Sequence, residues 1–106
     1  MSMKRLIESL LDRNMRGAIL RGIDFSRADF WGAKFYKAII LDADFTEAAL
    51  RGSDFTQANF TQATFKGANF RDVYFQDVDL FGADFSSAKN LDKAKWPKGY
   101  RLVKKE

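Results

Sequence analysis

Between residues 18 and 88 the apolar positions keep a five-residue beat. Every fifth residue from Leu20 to Phe85 is large and apolar: Leu20, Phe25, Phe30, Phe35, Ile40, Phe45, Leu50, Phe55, Phe60, Phe65, Phe70, Phe75, Leu80 and Phe85. Two residues before each stands a small or β-branched residue. It is Ala at most positions, with Ile23, Ser53, Val73 and Val78 as exceptions. A period of five suits neither a helix nor a long strand, whose side chains repeat every 3.6 and 2.0 residues. Within one unit, however, the two apolar positions are separated by a single residue, and strand geometry puts both on one face. The other residues must turn the chain. Gly recurs late in the unit, at Gly22, Gly32, Gly52, Gly67 and Gly82. Asp or Asn recurs between the small residue and the large one, at Asp24, Asp29, Asp44, Asp54, Asn59, Asn69, Asp79 and Asp84. Both types suit corners, Gly through its backbone freedom and Asp/Asn through short side chain-to-backbone bonds. Each unit is thus one short side and one corner. No single unit can bury its own Phe, so successive coils must stack.

A run such as Ala28-Asp29-Phe30-Trp31-Gly32 resembles the pentapeptide-repeat proteins, whose unit is written A-(D/N)-L-x-x with Leu or Phe at the centre. The resemblance covers about residues 18–96. It implies an all-β solenoid, a right-handed quadrilateral parallel β-helix. Phe25, Phe30, Phe35, Phe45, Phe55, Phe60, Phe65, Phe70, Phe75 and Phe85 then form the structural core, with the preceding small residues beside them. The other three positions of each unit face outward. On four sides, residues twenty apart lie above one another. Side one stacks Ile19, Ile39, Asn59 and Asp79 beside Arg21, Leu41, Thr61 and Phe81. Side two stacks Asp24, Asp44, Thr64 and Asp84. Side three carries Trp31, Arg51 and Arg71, and side four Lys34, Asp54 and Tyr74 beside Tyr36.

The ends differ from the middle. In residues 1–17, Met3, Leu6, Ile7, Leu10 and Leu11 fall at helical spacing, which predicts a short N-terminal helical cap over the open first end of the array. After Ala88 the beat slips. Leu91 arrives one position late, and Ala94 and Trp96 resume the spacing, so residues 89–106 read as a one-residue bulge, an irregular C-terminal cap and a basic tail.

Composition narrows the chemistry. The chain has 106 residues, one domain by length, and neither Cys nor His. That removes disulfides, thiol chemistry and the commonest metal ligand and general base. The net charge of +4 belongs to the ends: residues 1–17 carry +2, residues 18–88 carry −3 and residues 89–106 carry +5. No secretory signal and no membrane-length apolar run stands out, and the expected location is cytoplasmic.

Few residues invite catalysis. Asp24 and Asp44, one coil apart, are the nearest approach to a carboxylate pair for a cation, but Asp at this position is also the ordinary corner residue. The glycines are spaced by the repeat and do not open a helix, so they form no phosphate loop. The expectation is no enzyme, no cofactor, no metal site and no small-molecule substrate. Outward apolar residues are more informative. Ile19, Ile39, Leu41 and Phe81 share side one, and Trp31 and Tyr36 meet across the side three–side four corner. Such exposure indicates covered surface, whether by the N-terminal segment, a second copy or another protein. The function expected is a rigid protein-interaction module. The alternative implied by the resemblance is a DNA-imitating inhibitor or protector of gyrase, as in the quinolone-resistance group. Those members are longer and strongly acidic, and these repeats are only mildly so. Nucleic-acid binding through the basic tail, with Trp96 and Tyr100 as stacking surfaces, is the weaker third reading.

Overall fold

The computed structural model describes residues 10–98. From Asn14 to Lys89 the backbone pairs with itself in parallel at a step of twenty residues, four units long. Asp24 pairs with Asp44, Asp44 with Thr64 and Thr64 with Asp84. Parallel columns run through Ile19, Ile39, Asn59 and Asp79, through Asp29, Ala49, Asn69 and Lys89, and through Asn14, Lys34, Asp54 and Tyr74. The pairing is sustained by hydrogen bonds from each coil to the next. The Phe45 N–H, for example, donates to the Thr64 carbonyl at 2.7 Å, and the Thr64 N–H donates to the Ala43 carbonyl at 2.9 Å. Each vertical column therefore follows the twenty-residue register of the sequence.

Most sides pair through a single residue, because the chain turns immediately afterwards. The exception is side one, where β1 (Ile19–Arg21) and β2 (Ile39–Leu41) form a continuous parallel pair in the register Ile19↔Ile39, Leu20↔Ile40, Arg21↔Leu41. A local cause is visible. Elsewhere the Asp or Asn before the core residue accepts the N–H two residues on, as Asp24 does from Ser26 at 2.9 Å and Asn69 from Arg71 at 3.1 Å. Every Asp and Asn of the repeat named above makes this turn. Ile19 and Ile39 are vertical neighbours that both lack the acceptor, and β-branched residues favour extended backbone.

The corner itself demands a left-handed residue on every side. The last position of each unit has φ close to +60°, whether it is Gly52 (73°), Gly82 (70°), Lys37 (58°), Gln57 (57°) or Asp77 (55°). Glycine marks this position only where it happens to be present. For the others the left-handed conformation costs roughly 1–2 kcal/mol each, offset by the ladder bonds on both flanks.

Inside, the Phe rings form one continuous column. Phe35, Phe45, Phe55, Phe60, Phe65 and Phe70 are fully buried, and Phe25, Phe30 and Phe75 nearly so. On side two, Phe45 stacks on Phe65 at 5.1 Å with 15° between planes, and Phe65 on Phe85 at 5.3 Å with 14°. Between neighbouring sides many contacts are edge-on, as for Phe25 and Phe30 at 5.0 Å and 88°. Such pairs contribute about 0.5–1.5 kcal/mol beyond their burial. Ser53, at a small-residue position, is fully buried, and its hydroxyl donates to the Phe30 carbonyl at 2.7 Å.

Both ends depart from the expected boundaries in a definite way. The ladder begins one side earlier than residue 18: Asn14 pairs with Lys34, and Met15 is fully buried at the core position. Residues 10–12 are helical, with Leu11 78% exposed, and the rest of the expected N-terminal cap lies outside the described residues. At the other end Tyr74 pairs with Lys95, a step of twenty-one, so the ladder continues past residue 88 with one extra residue. Asn90 takes that slip in a left-handed conformation (φ 62°), and its amide donates to Asn69 at 2.9 Å. A 3-10 turn, Leu91–Lys93, follows. Trp96 then stacks flat on Phe75, 4.2 Å apart with 6° between planes, and its indole N–H donates to the Leu91 carbonyl at 3.0 Å. Tyr100, Leu102, Val103 and the basic end of the tail lie outside the described residues.

Candidate interaction surfaces

The vertical register decides which outward residues meet. On side one Ile19 is 69% exposed and Ile39 39%, with Leu41 half-buried beside them. These three stand on β1 and β2 and form one apolar patch across two adjacent coils. Phe81, 73% exposed, shares the side but not the patch. Two coils separate it from Leu41, about 10 Å at strand spacing. The intervening coil presents Asn59 and Thr61, tied to each other through the Thr61 N–H at 3.0 Å. Arg21, at the margin of the patch, is held by Asp42 at 2.9 Å.

Trp31 and Tyr36 do not join into an aromatic pair. Trp31 is exposed with the Arg51 guanidinium 5.1 Å from its ring centre, from the coil below. Tyr36 is half-buried, with Arg16 from the coil above at 5.6 Å and Lys37 at 5.3 Å. Between them lies a shallow groove of about 490 Å³, lined by Arg16, Gly32, Ala33, Lys34, Tyr36, Gly52 and Asp54. Gly32 and Gly52 stack at the corner, close enough that a Cβ on Gly52 would lie 3.9 Å from the Gly32 backbone. Reading residue types alone missed this groove; Tyr74, placed outward on side four by the register, is 50% exposed. The signal was present in the twenty-residue columns, which place Lys34 over Asp54 and Arg51 under Trp31.

Summing charge by side shows a division that the chain total conceals. Over the ladder from Asn14 to Lys95, sides one and two carry Asp24, Asp42, Asp44, Asp79 and Asp84 against Arg21 and Lys66, a net −3. Sides three and four carry Arg16, Lys34, Arg51, Arg71, Lys89 and Lys95 against Asp29, Asp54 and Asp72, a net +3. The residues at the two remaining corners cancel. One half of the column is acidic and the other basic.

Asp24, Asp44, Asp79 and Asp84 of the acidic half are engaged in turns. Asp24 Oδ1 accepts both the N–H and the hydroxyl of Ser26, at 2.9 and 2.6 Å, and Asp84 treats Ser86 in the same way. These bonds hold both carboxyls below the usual carboxylate range, the Ser hydroxyl contributing most. Among the described residues no group of three or more potential ligands could hold a metal ion. Asp24 and Asp44 are ladder neighbours, each engaged with its own turn.

A family model described as "Pentapeptide repeat region" matches residues 18–96. The chain belongs to the pentapeptide-repeat family. Among solved structures, a pentapeptide-repeat protein from the thylakoid lumen of Arabidopsis thaliana is 33% identical. The match covers 71% of this chain and 52% of that one, with a TM-score of 0.69. QnrB1, a plasmid-mediated fluoroquinolone resistance protein, is 20% identical over 78% of this chain and 55% of its own, with a TM-score of 0.48. The pentapeptide-repeat protein Rfr23 from the cyanobacterium Cyanothece 51142 is 17% identical over 91% and 100% of the two chains, with a TM-score of 0.33. The chain spans about half the length of the first two. No curated protein matches it. The thylakoid protein carries the structural argument, and the likeness implies a right-handed β-helix. Among the described residues no helix is long and apolar enough to cross a membrane.

Proposed function

We propose that this pentapeptide-repeat protein is a non-catalytic interaction module whose contact surface is side one. The observation that supports it is the patch of Ile19, Ile39 and Leu41 on the one continuous strand pair, in a repeat whose outward positions are otherwise largely polar. The core is filled from the inside without these three side chains, and an outward aliphatic patch marks a contact surface. Its backing is a right-handed quadrilateral coil. A stiff backing of this kind lowers the ordering cost of binding. A protein or a second copy of the chain suits such a flat surface better than a small molecule.

Imitation of DNA, the alternative, requires a continuous acidic surface. Here the ladder carries no net charge and puts +3 on two of its sides, which a saddle built for phosphates would repel. A supercoiling assay with gyrase separates the readings. Inhibition at micromolar protein would support imitation.

The interaction reading is tested by affinity capture from lysate of the source organism at low and high salt. One protein retained at high salt by the native chain, and lost on Ile39→Ser/Leu41→Ser with the melting temperature unchanged, is the expected result. Undiminished retention by that variant would remove side one from the proposal.

A further inference from the structure

We propose that the groove between sides three and four is an anion-binding site for a carboxylate-bearing segment of a protein partner, an acidic peptide. It is separate from side one and does not rest on it.

The first support is unspent charge. Arg16, Lys34, Lys37 and Arg51 are all exposed, and none has an ion-pair partner among the described residues. Three cations of the column are engaged, Arg13 with Asp29 at 3.0 Å, Arg21 with Asp42 at 2.9 Å and Lys95 with Asp72 at 3.9 Å; what sets the groove apart from the other unpaired cations is that Arg16 and Lys34 line one concave surface. Two cations, Arg16 and Lys37, face the single ring of Tyr36 at 5.6 and 5.3 Å. Like charges gathered there repel each other, and an anion between them relieves the repulsion.

The second support is the presentation of the arginines. Arg16 lies over Tyr36 and Arg51 over Trp31. A guanidinium placed over a ring spends none of its N–H groups on the ring's edge or on an acid, and its fork matches a carboxylate with two parallel hydrogen bonds. The ring also limits the entropy lost when the side chain is engaged. Gly32 and Gly52 leave the corner between these walls without side chains.

The pattern favours carboxylates over a nucleic-acid strand. The cations occupy a few adjacent coils and are interrupted by Asp29, Asp54 and Asp72. A phosphate backbone crossing that surface would meet those acids, whereas one or two carboxylates fit between them. Nucleic-acid binding draws most of its affinity from many phosphate contacts, which so short a patch does not supply.

The test uses fluorescence anisotropy of a labelled octaglutamate peptide with the full chain at low salt. The native chain is expected to bind it. Arg16→Ala/Arg51→Ala should weaken binding by about tenfold or more, since it removes both guanidinium forks. Arg27→Ala/Lys66→Ala removes the same total charge away from the groove and should change affinity by less than about twofold. Lys104→Gln/Lys105→Gln reports on the tail in the same way. Equal losses in all three variants would reduce the effect to net charge and overturn the site, as would no binding by the native chain. Tighter binding of a labelled oligothymidylate, lost in the same groove variant, would overturn the peptide in favour of nucleic acid. If a melt shows that the arginine pair disturbs folding, Lys34→Gln alone carries the same comparison.

Discussion

The middle of the Phe column and its last coil contain the same kind of residue and bury it very differently. Phe55, Phe60 and Phe65 are fully enclosed, Phe55 and Phe65 by rings above, below and beside, Phe60 by rings above and beside. Val78, Leu80 and Phe85 occupy equivalent inward positions and are only partly buried. In a stacked repeat, burial comes from neighbouring coils and not from the unit itself. A residue with a coil on one side only is therefore a half-finished core residue. The end of the ladder shows the response: a slip at Asn90, a 3-10 turn, and Trp96 laid flat on Phe75.

The largest effect should come from the middle. Phe60→Ala is expected to lower unfolding free energy by about 3–5 kcal/mol in urea melts, because the rings of four neighbours cannot collapse into the gap. Phe85→Ala, with contacts to Phe65 and Phe70 and partial exposure, should cost about 1.5–3 kcal/mol. Similar losses at both positions would mean that the last coil is as enclosed as the middle. A smaller effect is expected from Ser53→Ala. It leaves the Phe30 carbonyl without its hydroxyl donor, at about 0.5–1.5 kcal/mol by thermal melt. No change there would show that the bond to Phe30 contributes nothing.

The smallest effect concerns the corners. Asp24 and Asp84 should titrate below 3.8, the ordinary value, in side-chain NMR. Their folded midpoints are depressed, so any stability they contribute is present above 3.8 and declines as pH falls through the lowered midpoints. Midpoints at or above 3.8 would contradict the hydroxyl and amide bonds from Ser26 and Ser86.

How far the sequence carried the reading depends on which residues keep the beat. The inward register was legible because a five-residue period has few explanations once helix and strand are excluded, and the Phe residues hold it without interruption. The slip after Ala88 was legible because Leu91 is visibly late. Met15 was hidden because Arg13 stands where a small residue would announce the unit. The left-handed corner was hidden wherever Lys37, Glu47 or Gln57 occupies it, since these residues do not advertise positive φ. Of the surface, exposure could be read position by position. Vertical adjacency was legible in the twenty-residue columns, which put Thr61 between Leu41 and Phe81; the cations that Trp31 and Tyr36 hold emerge only in the structure. The basic and acidic halves were obscured because their charges cancel along the ladder.

The most direct test is one substitution made at two points of the beat. Phe65 faces inward with no exposure and Phe81 faces outward at 73%. Phe65→Ala and Phe81→Ala remove the same atoms. Urea unfolding of both variants beside the native chain should give a loss of about 3–5 kcal/mol for Phe65 and less than about 0.5 kcal/mol for Phe81. That gap would establish that the outer positions are free of structural duty and available for binding. Equal losses would contradict the register on which both proposed surfaces depend.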